Sequence, residues 1–199
     1  MESFTQKFLG ESIELIRKLD APAIEALAAG LATVRAGGGR LFILGVGGSA
    51  GHAGHAVNDF RKLCGFEAYA PTDNVSELTA RINDEGWDTS LAAWLRASRL
   101  RRGDGLLIFS VGGGSREKNI SVNLVRAIEL AKHVGAKVFG VVGRDGGFTA
   151  GAADAAVVIP PLAAERITPH TEGLCAVVWH LLVSHPALKT AATKWEATP

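Results

Sequence analysis

The 199-residue sequence has little of what marks a secreted, membrane-spanning or nucleic-acid-binding protein. Its two cysteines, Cys64 and Cys175, are too few for a disulfide framework and too far apart in sequence for a metal-type pair. The 21 basic and 20 acidic residues leave a formal charge of +1, which gives no positive surface for a polyanion. The N-terminus lacks the basic head and apolar run of a signal peptide, and no run approaches the roughly 18 apolar residues of a membrane span. We therefore expect a cytoplasmic protein with buried, reduced thiols, and neither nucleic acid nor a membrane as a partner.

Apolar runs alternate with stretches of helical period along most of the chain. Strands are predicted at about residues 41–44, 67–70, 106–109, 137–142 and 155–159. This alternation is typical of an α/β fold, and we predict a doubly wound, mainly five-stranded parallel sheet flanked by helices. No internal repeat or linker interrupts it, so residues 1–199 form one domain in this interpretation. The end of the chain is predicted to be a loop to Pro169, a helix from about Thr171 to Val183 and a shorter helix after Pro186.

Two helices are predicted ahead of the first strand, at about residues 3–19 and 21–35. A single sheet does not need both. We therefore expect residues 1–37 to form a helical arm that packs on a sister subunit, ahead of an α/β core at 38–199. Helices that only cover their own sheet are the alternative.

The first strand runs into a glycine turn, G-V-G-G-S. Gly47 and Gly48 precede Ser49, which opens a segment of helical period. A strand, a glycine turn and a helix start leave backbone N–H groups free to bind an anion. The spacing does not match G-x-G-x-x-G, so we predict no nucleotide cofactor.

A second loop, S-V-G-G-G-S-R-E-K-N-I-S, follows another predicted strand. It carries the hydroxyl groups of Ser110, Ser115 and Ser121. Two glycine and serine loops at the carboxyl ends of parallel strands suit a small phosphate monoester. The alternative role for each serine is a local helix cap, and Ser121 is the clearest capping candidate because a helix start follows it.

Histidines and carboxylates lie on two of the predicted helices. His52, His55 and Asp59 follow an i, i+3, i+7 pattern on the first helix of the core, and Glu172 and His180 share one face of the last long helix. If the two helices face each other, these side chains suit a divalent metal such as zinc, or acid and base groups on opposite sides of a substrate. The alternative is a structural role, since a buried histidine with one hydrogen bond is common in a run such as V-V-W-H-L-L-V.

With both loops and the last helix considered together, the chain resembles the sugar isomerase (SIS) domain family, and within it the phosphoheptose isomerases. The resemblance runs over nearly the whole length. It rests on an ordered set of motifs: G-V-G-G-S at 45–49, N-D-E-G-W at 83–87, S-V-G-G-G-S at 110–115, G-R-D-G-G at 143–147 and T-P-H-T-E at 168–172. It implies an SIS fold, a homotetramer with active sites at subunit interfaces, and conversion of sedoheptulose 7-phosphate to D-glycero-D-manno-heptose 7-phosphate through an enediol.

The resemblance also implies roles for single residues. Proton transfer falls on Asp59 and His180, with Glu172 as a further base. A zinc ion would be bound by His55, Asp59, Glu172 and His180. Contacts with the sugar phosphate are expected at Gly47, Gly48, Ser49, Asn83, Asp84, Ser110, Gly112, Ser115 and Ser121.

Three departures from the family pattern concern this site. Asp59 stands where the family has glutamate, and a carboxylate one methylene shorter could cost about 100-fold in rate if nothing compensates. Glu172 stands where the family has glutamine and adds a negative charge that favours a divalent metal. In the second loop, Gly112 replaces a third serine, and the loop is longer by a charged insertion at 116–118.

The leading hypothesis is therefore a sugar-phosphate isomerase. A non-catalytic SIS module that senses a phosphosugar or docks on a protein partner is the alternative from another class, and an isomerase of another sugar phosphate is a third. Two histidines and two carboxylates at matching positions favour an enzyme, because a pure binding module has no need of them.

Overall fold

The computed structural model describes residues 2–192, which form a five-stranded sheet between two layers of helices. The helices are α1 (Phe4–Arg17), α2 (Ala21–Ala36), α3 (Gly48–Cys64), α4 (Val75–Glu85), α5 (Trp87–Ala97), α6 (Val122–Val134), α7 (Gly147–Ala152) and α8 (Ile167–Ser184). The strands are β1 (Leu41–Leu44), β2 (Ala68–Tyr69), β3 (Gly105–Ser110), β4 (Lys137–Gly143) and β5 (Ala155–Ile159). They pair in the order β2-β1-β3-β4-β5, and every pair is parallel. The predicted doubly wound parallel sheet is confirmed.

The alternation of side chains along β1 explains why helices cover both faces of the sheet. Leu41 and Ile43 pack with residues of α2, α3 and α8, whereas Phe42 and Leu44 pack with residues of α5 and α6. All four are buried. A strand covered on both faces is apolar at every position, which is why β1 shows an unbroken apolar run in the sequence. Over the described residues, no helix is both long and apolar enough to cross a bilayer.

The topological switch point of the sheet lies between β1 and β3, where the direction in which successive strands are added reverses. From β1 the chain moves outward to β2 and then returns to the other side of β1 to form β3. In open α/β sheets a crevice forms at such a switch, outside the carboxyl ends of the strands. The glycine turn after β1 and the long loop after β3 therefore meet at one edge of the sheet.

The start of α8 differs from the prediction. The helix begins at Ile167 rather than at Thr171. The prediction ended the preceding loop at Pro169, but this proline lies in the first turn of α8. Proline is tolerated there because the first N–H groups of a helix have no partner within it.

The short helix α7 was not predicted, since its sequence G-F-T-A-G-A is rich in glycine. It is held by contacts from outside the helix. The Thr149 hydroxyl donates to the carbonyl oxygen of Gly113 at 2.7 Å, and the Phe148 N–H donates to the carbonyl of Gly114 at 2.9 Å. These bonds also join the turn after β4 to the loop after β3.

The predicted tail helix after Pro186 is wrong over the residues described, where positions 186–192 contain turns and no helix. The guanidinium of Arg35 on α2 donates to the carbonyl oxygen of Leu188, and the N–H of Thr190 donates to the carbonyl of Leu63. The backbone of this segment is therefore paired with α2 and α3 without forming a helix. The remainder of the predicted helix lies outside the described residues.

One polar cluster and few apolar contacts hold α1 to the rest of the chain. Only Leu15 of α1 is buried. Arg166 donates two hydrogen bonds to the Glu11 carboxylate, at 2.7 and 2.8 Å, and Nε2 of His170 lies 2.9 Å from the same carboxylate. Because Arg166 and His170 flank the start of α8, this cluster ties α1 to the helix that borders the crevice.

Replacing Glu11 with Gln is expected to destabilise the protein at neutral pH and to have little effect in strong acid. Hydrogen bonds from Arg166 and His170 lower the pKa of Glu11 from 4.5 to about 2, so its stabilisation is present above 4.5 and is lost as the pH falls toward 2. Urea midpoints of the wild type and the variant should converge as the pH is lowered. The control is Glu14→Gln, which removes an exposed carboxylate of the same helix. A difference in urea midpoint between the wild type and Glu11→Gln that does not change with pH would contradict the prediction.

Candidate functional site

A cleft of about 1110 Å³ lies at the carboxyl ends of the strands. Its walls come from the turn after β1, the loop after β3, the turn after β4 and the start of α8. The polar and charged residues that line it are Ser49, Ser110, Ser115, Arg116, Glu117, Lys118, Ser121, Arg144, Asp145 and Thr168, and Gly112 lines it as well. The structure therefore brings the four serines named from the sequence into one cleft.

Three of the longer helices begin at this cleft, and none of the three has a side-chain hydrogen bond at its N-cap. They are α3 after Gly47, α6 after Ser121 and α8 after Arg166. The first N–H groups of a helix have no partner within it, and the helix dipole places partial positive charge at that end. The cleft is therefore suited to an anion.

Ser121 occupies the N-cap position of α6 but does not cap the helix, which corrects the capping alternative. Its backbone is left-handed, with φ 47°, and its side chain makes no cap hydrogen bond. A non-glycine residue in this conformation costs about 1–3 kcal/mol and is found preferentially at ligand sites. The Ser121 hydroxyl is thus available to a ligand in the cleft.

Ser110 and Ser115 are fixed by hydrogen bonds within their own loop. Oγ of Ser110 accepts from the N–H of Gly113 at 3.0 Å, and Oγ of Ser115 accepts from the N–H of Lys118 at 3.2 Å. A hydroxyl that accepts one bond still has its hydrogen to donate. Both side chains are therefore positioned to donate to an anion.

A second group of polar residues lies further along α3, where that helix faces α8. Nε2 of His55 lies 3.5 Å from Oδ2 of Asp59, and Nε2 of His180 lies 3.6 Å from the same oxygen. One ligand atom from each of these residues lies within 4.8 Å of the others. We call His55, Asp59 and His180 the triad. Since a helix rises about 1.5 Å per residue, His55 lies roughly 10 Å along α3 from Gly48 at the cleft.

Both oxygens of Asp59 accept hydrogen bonds. Nε1 of Trp179 donates to Oδ2 at 3.2 Å, and Nδ2 of Asn58 donates to Oδ1 at 3.0 Å. Trp179 is 2% exposed and its ring lies against the imidazole rings of the triad. This tryptophan fixes the carboxylate that is one methylene shorter than glutamate. The contact of Trp179 with Asp59 was not predicted from the sequence, although an indole N–H donor directly before His180 on the facing helix was a usable signal.

The side chain of His180 is 53% exposed, so it is not a buried structural histidine. Its Nδ1 lies 2.8 Å from the carbonyl oxygen of Ala176. A carbonyl oxygen only accepts hydrogen bonds, so Nδ1 carries the hydrogen in the neutral imidazole. The lone pair then lies on Nε2, the nitrogen next to Asp59.

Glu172, a residue of α8, lies apart from the triad. Its carboxylate lies beside the start of α3. A Cβ atom on Gly48 would lie 2.5 Å from Oε1 of Glu172, so the carboxylate covers Gly48 and leaves no space for a side chain there. His52, on the first turns of α3, has its Nδ1 buried without a hydrogen-bond partner among the described residues. Burial lowers the pKa of His52, and the charge of Glu172 opposes this effect. Glu172 as a base or as a fourth metal ligand therefore stays a prediction.

Asn83 and Asp84, which the resemblance assigns to the substrate, lie outside the cleft lining of this subunit. They are on α4, none of whose residues is buried. Nδ2 of Asn83 donates to Oδ1 of Asp84 at 2.7 Å. Their role in substrate binding therefore stays a prediction.

Arg144 and Thr168 line the cleft and were not predicted from the sequence. Arg144 directly follows β4, and Thr168 lies in the first turn of α8. The position of Arg144 after a strand was a usable signal, because parallel strands end at the same edge of the sheet. Thr168 was missed because the start of α8 was placed too late.

The two thiols are buried and unpaired, as predicted. Burial raises the pKa of Cys64 to about 11 and that of Cys175 to about 12. Both are therefore protonated at neutral pH, and neither is a reactive nucleophile.

The chain is similar to proteins of known family along most of its length. A family model described as SIS domain matches residues 6–143. The chain is 34% identical over 194 residues to the lincomycin biosynthesis protein LmbN of Streptomyces lincolnensis, covering 92% of this chain and 69% of that protein. It is 31% identical over 190 residues to a phosphoheptose isomerase of Trichlorobacter lovleyi, covering 92% and 91%. The solved structure of the phosphoheptose isomerase GmhA from Neisseria gonorrhoeae matches with a TM-score of 0.78 at 26% identity, covering 90% of this chain and 96% of that one.

Proposed function

The chain belongs to the SIS domain family, and from this premise we propose that it is a sugar-phosphate isomerase that converts sedoheptulose 7-phosphate to D-glycero-D-manno-heptose 7-phosphate. The similarity to proteins named phosphoheptose isomerase supports this activity. The observation that carries the proposal is the triad, in which the mostly buried carboxylate of Asp59 faces the imidazole of His55 on α3 and the imidazole of His180 on α8. Both helices begin at the anion-binding cleft. A phosphate in the cleft would leave the rest of the sugar to extend along α3 toward these groups.

The reaction moves one proton between neighbouring carbons, and the triad has the groups for this. Asp59 takes a proton from C1 of the ketose while His180, acting as an imidazolium, supplies its Nε2 proton to the carbonyl oxygen at C2, which gives the enediol. Return of the carbon-bound proton to C2, with loss of the O1 proton, gives the aldose. General acid–base groups of this kind contribute about 10²–10⁴-fold each to the rate. Glu172, beside the start of α3, is proposed as a further base.

The donor set of the triad fits a zinc ion. Two imidazole nitrogens and one carboxylate oxygen lie within 4.8 Å of one another, and three protein ligands with one open position are typical of catalytic zinc. We propose that His55, Asp59 and His180 bind the ion and leave one position open for the substrate. A bound zinc ion would polarise the carbonyl oxygen and stabilise the negative charge that develops on it.

We propose a homotetramer whose sites lie at subunit boundaries. Leu9, Ile13 and Ile16 form an apolar stripe on α1 and are each about half exposed, and Val177 and Leu181 are exposed on α8 beside His180. Exposed apolar faces on α1 and α8, together with the exposed imidazoles of the triad, favour coverage by a second subunit. Such a subunit would also explain how Asn83 and Asp84 reach a substrate. Buried, unpaired thiols are consistent with the cytoplasm as the compartment.

Incubation with sedoheptulose 7-phosphate in deuterated water tests the activity. The expected result is the aldose product with solvent deuterium at C2, because an enediol intermediate exchanges its proton with solvent. The assay should be run with and without added zinc, with other ketose phosphates as a panel for specificity. Absence of both product and exchange under all these conditions, together with retained phosphate binding, would instead support a non-catalytic phosphosugar-binding module.

A further inference from the structure

Arg144 is held in a strained conformation at the rim of the cleft. It is one of four non-glycine residues with a positive φ in the described part of the chain, at 57°. The N–H of Gly146 donates to the carbonyl of Gly143 at 2.9 Å, and the N–H of Gly147 donates to Oδ1 of Asp145 at 3.1 Å, so the turn around Arg144 is fixed on both sides. Glycine would adopt this backbone without strain, and strain kept at a non-glycine residue is a feature of ligand sites.

The guanidinium of Arg144 is an unpaired cation in the cleft. It is exposed, and no side chain or carbonyl among residues 2–192 forms a hydrogen bond or ion pair with it. Arg116, on the same cleft, is different because it pairs with Glu129 and lies over the ring of Phe148. A free guanidinium beside three uncapped helix starts adds full positive charge to a site that already favours an anion.

The Arg144 side chain lies alongside Gly112. A Cβ atom on Gly112 would lie 3.7 Å from Cδ and 4.0 Å from Nε of Arg144, so the arginine side chain runs past the open side of this glycine. Arg144 and Gly112 therefore lie side by side in one wall of the cleft.

We propose that Arg144 binds the phosphate group of the substrate. Its planar fork of N–H donors matches two phosphate oxygens, while Ser49, Ser110, Ser121 and the backbone N–H groups of α3 and α6 donate to the others. The inference rests on the proposed function for the identity of the sugar, but the phosphate contact can be tested without turnover.

Arg144→Ala is expected to weaken the binding of inorganic phosphate about 10- to 100-fold, the range of a charge-assisted hydrogen bond. Isothermal titration of the purified full-length protein measures this directly. With the sugar phosphate as substrate, KM should rise by a similar factor while kcat changes little, because a remote phosphate is bound equally in the ground state and the transition state. Arg144→Lys should be intermediate, since an ammonium is a point charge without the fork.

Arg99→Ala is the matched control. Arg99 is also an exposed arginine with a left-handed backbone, at φ 52°, but it lies outside the cleft lining, so its loss should leave phosphate affinity unchanged. Gly112→Ser in the Arg144→Ala background should recover part of the lost affinity, because a Cβ at 112 meets no atom closer than 3.7 Å even with the arginine present.

Wild-type phosphate affinity in Arg144→Ala, or an equal loss in Arg99→Ala, would overturn the inference, as would a wild type that binds no phosphate. A wild type that binds phosphate through Arg144 but does not turn over any sugar phosphate would support the inference and reject the proposed isomerase. The two proposals therefore fail in different ways.

Discussion

Asp59→Asn is expected to lower kcat/KM for the sugar phosphate about 1,000-fold while the protein stays folded. An amide cannot take a proton from the carbon next to the carbonyl. Its oxygen can still accept the hydrogen bond that Trp179 donates to Oδ2 of the aspartate, so the local packing should persist. Initial rates with sedoheptulose 7-phosphate measure the effect, and the melting temperature confirms that the variant folds.

The control for Asp59 is Asp88→Asn, which removes an exposed carboxylate on α5 outside the triad and the cleft. Its rate should match that of the wild type. Zinc content per subunit provides a second readout, because loss of one of three ligands typically weakens a metal site, whereas loss of a distant carboxylate does not. An Asp59→Asn protein with a rate within about tenfold of the wild type would remove the carboxylate from the mechanism.

Gly113→Ala is expected to destabilise the protein by about 2–5 kcal/mol, the sum of left-handed strain and overpacking. Gly113 has φ 68°, and an added Cβ would lie 1.9 Å from the carbonyl oxygen of Gly146. The loop after β3 and the segment after β4 cannot separate easily, because the Gly113 carbonyl accepts hydrogen bonds from both the N–H and the hydroxyl of Thr149. The methyl group would therefore push apart the loop after β3 and the turn after β4. Phosphate binding should fall together with stability, since both walls of the cleft are involved.

Gly151→Ala is the matched control for Gly113. Gly151 lies near the end of α7, outside the cleft lining, and a Cβ there meets nothing within 4 Å. Its replacement should leave phosphate binding intact and raise stability by up to about 1 kcal/mol, because alanine is the better helix former. Urea unfolding and phosphate titration of the two variants measure both effects. Equal stability of the two variants would show that the loops are not packed as described.

Much of the fold was predictable because the pattern of apolar residues and glycines over a few adjacent positions determines it. The apolar run of β1 and the glycine turn before Ser49 indicate a strand, a turn and a helix start from adjacent residues alone. One alternative was rejected and one prediction was wrong. Ser121 looks like a helix cap, but its backbone is left-handed and its hydroxyl is free. The segment after Pro186 looks helical, but Arg35 and Leu63 bind its backbone.

The candidate site was predictable only in part, for the same reason. The spacing of His55 and Asp59 puts them on one helix face whatever the rest of the chain does. That they meet His180 depends on α3 and α8 packing on the same side of the sheet. Helical spacing likewise puts Glu172 on the same face of α8 as His180. The Glu172 carboxylate nevertheless lies over Gly48 and apart from the triad.

The sequence by itself determined the doubly wound sheet, the two glycine and serine loops and the histidine and carboxylate pairs within each helix, because periodicity of a few residues sets all of these. Only the tertiary structure decided which of these groups come together. Trp179 reaches Asp59 across 120 residues of sequence, and the side chain of Arg144 runs past Gly112 from a neighbouring strand end. The physical reason is that contacts between elements depend on how whole helices and strands pack, which no local pattern specifies.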